Sequence, residues 1–271
     1  MTYPIAMPPY INMAPYCALS EPRSFHFVYH PPRDIISALL HKEIVAAAMP
    51  VGGLPFLRNH VELALISGIS AMEKSMSMLF FSDRPFYEMD ASTRIRITGE
   101  SASGVRLMYL TWGLRLGFEN LPVKCGAYEK SNGELVIGNQ SLIRAFGDAP
   151  DKRYPYVTDL VLEWYDYCGL PFVFSRWAIL KDAPVEAKIS LLRWLEKFRE
   201  NEEELVNKSV LNSSMVTGLS HEVIETYFRT VRRTLTDEDV KGQENFLKEL
   251  DKHESELARF INPETDFLLN N

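Results

Sequence analysis

Apolar and polar positions along the chain follow two periods, and the change from one to the other outlines the elements. FHFVYHPP, residues 25–32, is an apolar, aromatic-rich run stopped by two prolines, which predicts a short strand. RDIISALLHKEI then carries Ile35, Ile36 and Leu39 at helical spacing, and VAAAMPV predicts the next strand. A strand, a helix and a strand in succession favour a parallel sheet. SMSMLFFS (75–82) alternates and then runs apolar, as a buried strand does, and TRIRITGES (93–101) predicts another. SASGVRLMYLTWGLRLGF predicts a helix capped by Ser103 or a neighbour. GELVIGN is expected as a strand after an Asn132-Gly133 turn, and TDLVLEWYDYC as an amphipathic helix ended by Gly169 and Pro171. PFVFSRWAI is the stiffest apolar strand of all. From residue 184 onward the pattern is helical and charged, in three segments: 184–211, 220–235 and 237–260.

Composition narrows the classes. The 271 residues are 46% hydrophobic and 24% charged, enough for one large domain or two lobes and against bulk disorder. A net charge of -7 gives no basic footprint for nucleic acid. It leaves room for a small anion, because backbone amides and helix N-termini supply local positive potential without altering the net count. Cys17, Cys125 and Cys168 are far apart and form no CxxC pair, which predicts reduced thiols and no zinc spacing. The opening MTYPIAMPPYINMAPY lacks a basic region and holds four prolines, unlike a secretory signal. No apolar run approaches the ~20 residues that span a bilayer. A cytoplasmic protein without membrane or nucleic-acid partners is expected.

The best local candidate for chemistry is the junction RITGESASGVRL. A strand there gives way to small residues and then to a helix, whose first free amides can face a ligand. Many α/β proteins contain such turns, so its weight comes from other segments. YINMAPY (10–16), SMSMLFFSDRP, ITGESASGV, LVIGNQSLIRAF and above all DLVLEWYDYCGLPFVFSRW stand in the order found in one family. The chain resembles, nearly end to end, the menaquinone-biosynthesis family of the futalosine pathway, closest to chorismate dehydratase, as a divergent member.

The resemblance implies an α/β fold of the type II periplasmic-binding-protein kind, two lobes around a cleft. SMSMLFFS and FVFSRWAI would be the crossings, with residues 1–82 and 177–271 forming lobe one and 83–176 an inserted lobe two. It implies a lyase that removes water from chorismate to give 3-[(1-carboxyvinyl)oxy]benzoate, with a small anionic substrate, no metal and no organic cofactor. Oligomeric state stays open, a homodimer included. Asn12, Ser101 and Asn139 are the expected catalytic residues. Ser77, Ser103, Gly104, Ser175 and Arg176 are the expected substrate-binding residues.

The departures matter as much. The family's aspartate after Ile-Gly is Asn139, its Ser-Arg-Thr-Ser stretch is Ser101-Ala102-Ser103-Gly104, and Val45 replaces an acidic residue. Asn139 can donate and accept but cannot hold a charge or act as a base. Losing a buried charged hydrogen bond removes about 1.5–3 kcal/mol. Two alternatives therefore stand beside the dehydratase: a non-catalytic binder of small carboxylates with the same fold, and a lyase for a related cyclic acid. No confident general base emerges; Glu100, His26 and His30 are weak candidates.

Overall fold

The computed structural model describes residues 2–97, 99–126, 128–148 and 152–261. Thr98, within the strand expected over 93–101, lies outside the described residues, as do 262–271 of the closing segment.

Two sheets carry the architecture. The first contains β1 (Tyr3–Met7), β2 (Phe25–Tyr29), β3 (Ala46–Pro50), β4 (Val61–Ala71), β10 (Phe172–Leu180) and β11 (Val231–Thr234), in the order β11-β4-β10-β3-β1-β2. The second contains β5 (Met78–Ser82), β6 (Arg94–Ile97), β7 (Val123–Lys124), β8 (Gly133–Ile137) and β9 (Tyr156–Asp159), in the order β7-β6-β8-β5-β9. The helices are α1 (Ala14–Cys17), α2 (Pro32–Leu40), α3 (Leu54–Leu57), α4 (Ser103–Leu116), α5 (Gly138–Phe146) and α6 (Leu160–Cys168). They continue with α7 (Val185–Glu200), α8 (Glu202–Thr217), α9 (His221–Thr230), α10 (Asp237–Lys252) and α11 (Glu254–Leu257).

The opening strands pair in parallel, with Ile5 beside Phe27 and Ala46. The sheet as a whole is mixed, because β10 returns antiparallel between β3 and β4. β5 lies wholly in the second sheet and β10 wholly in the first. The strands expected as crossings therefore do not themselves cross. The chain passes between sheets at residues 72–77 and again near 169–171. A strand's ladder bonds hold it to one sheet, so the change of sheet falls in the turns, at Gly169 with φ 70° for the return.

Several other expectations change. The segment 184–211 is two helices, broken at Asn201, and 220–235 is a helix followed by β11. Val231-Arg-Arg-Thr keeps an apolar neighbour and a helical charge pattern, but its β-branched ends and its pairing with Val231 opposite Ala71 carry it into the sheet edge. β4 escapes a period-two reading because its first half is irregular. Leu63, Leu65 and Ile66 are exposed, Leu65 has φ 56°, and the register with β10 shifts twice. The cap of α4 is Ala102, with Ser103 the first helical residue, and no side chain caps that helix.

The core of the first sheet is aromatic. Tyr16 stacks on Phe198 at 3.8 Å and meets Trp177 edge-on at 5.3 Å, with Trp194 completing the cluster. Asp159 fastens the passage into the second sheet. Its carboxylate accepts from the Ser75 and Met76 amides at 2.8 Å each, from Ser75 Oγ at 3.0 Å, and from the Val161 amide at 3.0 Å as the cap of α6. Replacing Asp159 with Ala leaves buried donors unpaired and is expected to cost about 2–4 kcal/mol. A lower urea midpoint at unchanged slope is the expected reading.

Candidate functional site between the two sheets

A cavity lies where the sheets meet. Pro8, Tyr10, Asn12, Pro50, Phe174 and Ser175 come to it from the first sheet and its loops, and Ser77, Met78, Ile137 and Gly138 from the second. Ser101, Ala102, Ser103 and Gly104 form its far wall, at the start of α4.

Six of the eight residues expected at the site line this cavity: Asn12, Ser77, Ser101, Ser103, Gly104 and Ser175. Their polar atoms are not equally available. Ser103 Oγ accepts from the Gly52 amide at 3.0 Å and donates to the Phe174 carbonyl at 3.3 Å, so it is bound into the protein. Ser77 Oγ accepts from Tyr227 Oη at 3.2 Å. Burial raises the Tyr227 pKa, which keeps that phenol a donor. Ser101 Oγ and Asn12 Oδ1 are buried and have no partner. Buried polar atoms are usually paired, which makes these two residues of the cavity wall candidates for ligand contacts.

Asn139 and Arg176 stand elsewhere. Asn139 is absent from the cavity wall and borders an outer groove; its Oδ1 accepts from the Ile11 amide at 2.9 Å, joining α5 to the loop that carries Asn12. Arg176 does not close the cleft. It is buried, with Nη1 donating to Gln243 Oε1 at 2.9 Å and Nη2 to the Leu65 carbonyl at 2.8 Å. Successive strand residues face opposite ways. Ser175 turns to the cavity, and Arg176 therefore turns toward α10.

Residues the sequence did not single out hold the site in shape. Tyr10 lines the cavity, its Oη donating to Glu100 Oε2 at 2.8 Å. Burial first, then that carboxylate, hold its pKa well above the usual phenol. The Tyr10 ring packs on Gly138 (φ 64°), where an added Cβ would lie 2.6 Å from it. Arg233 is fully buried, and its Nε donates to the Asn12 carbonyl at 3.2 Å. Its Nη1 donates to the Val231 carbonyl at 3.1 Å, and burial lowers its pKa. Tyr10 could have been found in the YINMAPY run; Arg233 could not, because it sits in a stretch that reads as an exposed helix. Among the described residues, no cluster of His, Cys, Asp and Glu side chains could hold a metal, and no helix is long and apolar enough to cross a membrane.

This arrangement, a cavity between two α/β units joined by two passages, is the periplasmic-binding-protein-like fold, and solved structures agree. A protein from Archaeoglobus fulgidus matches with TM-score 0.67 at 14% identity, covering 94% of this chain and 98% of that one. A Candida albicans gene product described as having the generic periplasmic binding protein structural fold matches at 0.56, with 14% identity, 94% and 95% coverage. The alkanesulfonate-binding protein SsuA from Xanthomonas axonopodis pv. citri, bound to MOPS, matches at 0.58, with 11% identity, 94% and 93% coverage. Within that fold class the sequence is more specific. Residues 3–252 match the menaquinone biosynthesis family, and the chain belongs to it. A curated relative, chorismate dehydratase of Thermus thermophilus, is 23% identical over 209 residues, 70% of this chain and 75% of its own length.

Two substitutions test the site. In Gly104→Ala the new Cβ would lie 2.7 Å from Ser101 Oγ and 3.3 Å from Met78 Cε. Ligand affinity should fall by about tenfold or more, because the Ser101 hydroxyl is displaced from its direction. Thermal unfolding should move far less than binding. Arg233→Met removes the donor to the Asn12 carbonyl. It should weaken binding while leaving far-UV circular dichroism unchanged.

Proposed function

We propose that this chain is a lyase of the chorismate dehydratase type, acting on a small cyclic hydroxy acid in menaquinone biosynthesis. The observation that carries the reading is that Asn12 and Ser101, each with a buried side-chain oxygen left without a partner, line the same cavity between the sheets. The family membership and the relative named chorismate dehydratase support the reaction class.

In the reference reaction, chorismate loses water to give 3-[(1-carboxyvinyl)oxy]benzoate. A ring proton leaves from a carbon conjugated with the ring carboxylate, giving a dienolate. The substrate carboxylate that took the ring proton returns it to the neighbouring hydroxyl, which departs as water, and the ring becomes aromatic. Charge that develops on the carboxylate is met by preorganised donors, the Ser101 hydroxyl and the first amides of α4. The leaving hydroxyl can donate to Asn12 Oδ1, which orients it. A carboxylate of the substrate serves as the base, since no protein carboxylate or histidine lines the cavity among the described residues.

Asn139 acts here as a positioning residue. Its oxygen holds the Ile11 amide and with it the neighbouring Asn12. Asparagine does this without a charge at the seam.

Incubation with chorismate, followed by loss of its absorbance and by the product's mass, tests the reading directly. No turnover at micromolar enzyme, with tight binding still seen calorimetrically, would leave a binding protein in place of a lyase. Ser101→Ala should lower kcat by about 100-fold, as loss of one oxyanion donor does. Asn139→Asp keeps the acceptor for Ile11 and should retain most of the activity, whereas Asn139→Ala should not.

A further inference from the structure

We infer that Tyr227 is a positioning residue of the cavity: by donating to Ser77 Oγ it fixes the Ser77 hydroxyl as a hydrogen-bond donor for an oxygen of the bound acid. This rests on the acid-site reading above and gives that site a donor besides Ser101 and the amides of α4.

Ser77 is the last residue of the passage into the second sheet, and its backbone is held on both sides. Its amide donates to Ser75 Oγ at 3.3 Å, and its carbonyl accepts from the Gly138 amide at 2.8 Å. Ser75 is fixed in turn by the Asp159 carboxylate. Met76, between the two serines, has φ 59°, a left-handed conformation that such a side chain adopts only where its surroundings impose it. With the backbone set in this way, the freedom left at Ser77 is rotation of its side chain and its hydroxyl proton.

Tyr227 removes that freedom. It lies on α9, which runs into β11 of the first sheet, and it is fully buried. Its Oη donates to Ser77 Oγ at 3.2 Å; Ser77 lines the cavity and Tyr227 does not. A serine hydroxyl has one proton and two lone pairs. The phenol takes a lone pair, and among the described residues no protein group accepts the Ser77 proton. Buried hydroxyls pair their protons, and the cavity is where a further acceptor can enter. Arg233 steadies this end of α9, its Nη1 donating to the Phe228 carbonyl at 3.5 Å while its Nε holds the Asn12 carbonyl. One buried guanidinium therefore braces both Asn12 and the helix that carries the partner of Ser77.

The ligand chemistry calls for such a donor. Carboxylate oxygens only accept, and chorismate carries two carboxylates. The start of α4 with Ser101 meets one of them, and a donor fixed at Ser77 serves an oxygen beyond it. A hydroxyl already oriented in the free protein binds better than a rotating one, because its ordering is not charged to the binding step.

A double-mutant cycle, read by calorimetric titration of the full chain with chorismate, tests this. Ser77→Ala should weaken binding by about tenfold, as loss of a hydrogen bond to a charged group does. Tyr227→Phe keeps the buried ring and should weaken binding by about three- to tenfold, with far-UV circular dichroism unchanged. The double variant should bind no more weakly than Ser77→Ala alone, because Tyr227 acts through Ser77. In turnover, Tyr227→Phe should raise KM by a larger factor than it lowers kcat. A lower urea midpoint with unaltered affinity in Tyr227→Phe would mark a purely structural hydrogen bond and overturn the inference. Unaltered affinity in Ser77→Ala, or a double variant weaker than Ser77→Ala by the whole Tyr227→Phe factor, overturns it too. Those results leave the acid site standing, since the unaltered protein still binds chorismate. No binding of chorismate by the unaltered protein overturns the acid site and this inference with it.

Discussion

The site depends on one hydroxyl. Ser103 accepts a hydrogen bond from the Gly52 amide and donates one to the Phe174 carbonyl, tying the start of α4 to the turn after β3 and to strand β10 of the first sheet. The backbones approach closely enough that a Cβ on Gly52 would lie 3.1 Å from Ser103 Cα and 3.2 Å from the Ala102 carbonyl. Glycine at 52 is what permits the approach. With that seam closed, the start of α4 and Asn12 line one cavity. Without it the two poles of the site would belong to separate surfaces.

The Asn12 loop is held from behind by a buried cation. Among the described residues, Arg233 donates to carbonyl oxygens, including that of Asn12, and Glu202 is close enough to favour its charge. Tyr16, in turn, donates to the Arg233 carbonyl at 3.2 Å and to Gly68 at 3.3 Å while stacking on Phe198. An apolar residue in place of a buried ionic group is frequently as stable. The guanidinium's distinct contribution is direction: it fixes a backbone carbonyl, and so the side chain of the same residue, at the cavity wall. The aromatic cluster beneath makes that placement rigid, since packed rings leave little room to relax.

The departures from the family pattern acquire a meaning once the geometry is known. Asn139 joins the halves of the protein and leaves the cavity wall to other residues, so its uncharged state suits a seam hydrogen bond. Ala102 lies on the wall, and its short side chain leaves α4's amides to supply the positive potential. The fold is shared with an alkanesulfonate-binding protein.

By itself the sequence determined the local elements and the order of motifs. The strand periods around 25–29, 46–50, 78–82 and 172–180 were legible because buried strands repeat every two residues or run apolar. So was the helix end at Gly169, because a left-handed residue favours glycine. The Ser101–Gly104 junction and Asn12 were legible as small and polar residues at element ends, where ligand contacts concentrate. Tertiary structure alone decided which hydroxyls are spent and which are free. Ser101 and Ser103 are two residues apart and alike in chemistry, yet one is orphaned and the other bridges the seam. It also decided that Arg176 turns from the cleft while Arg233, in a stretch that reads as an exposed helix, reaches Asn12 across 221 positions of chain. Long-range pairing leaves no periodic trace, because partners so distant in sequence are brought together only by the packing of the whole.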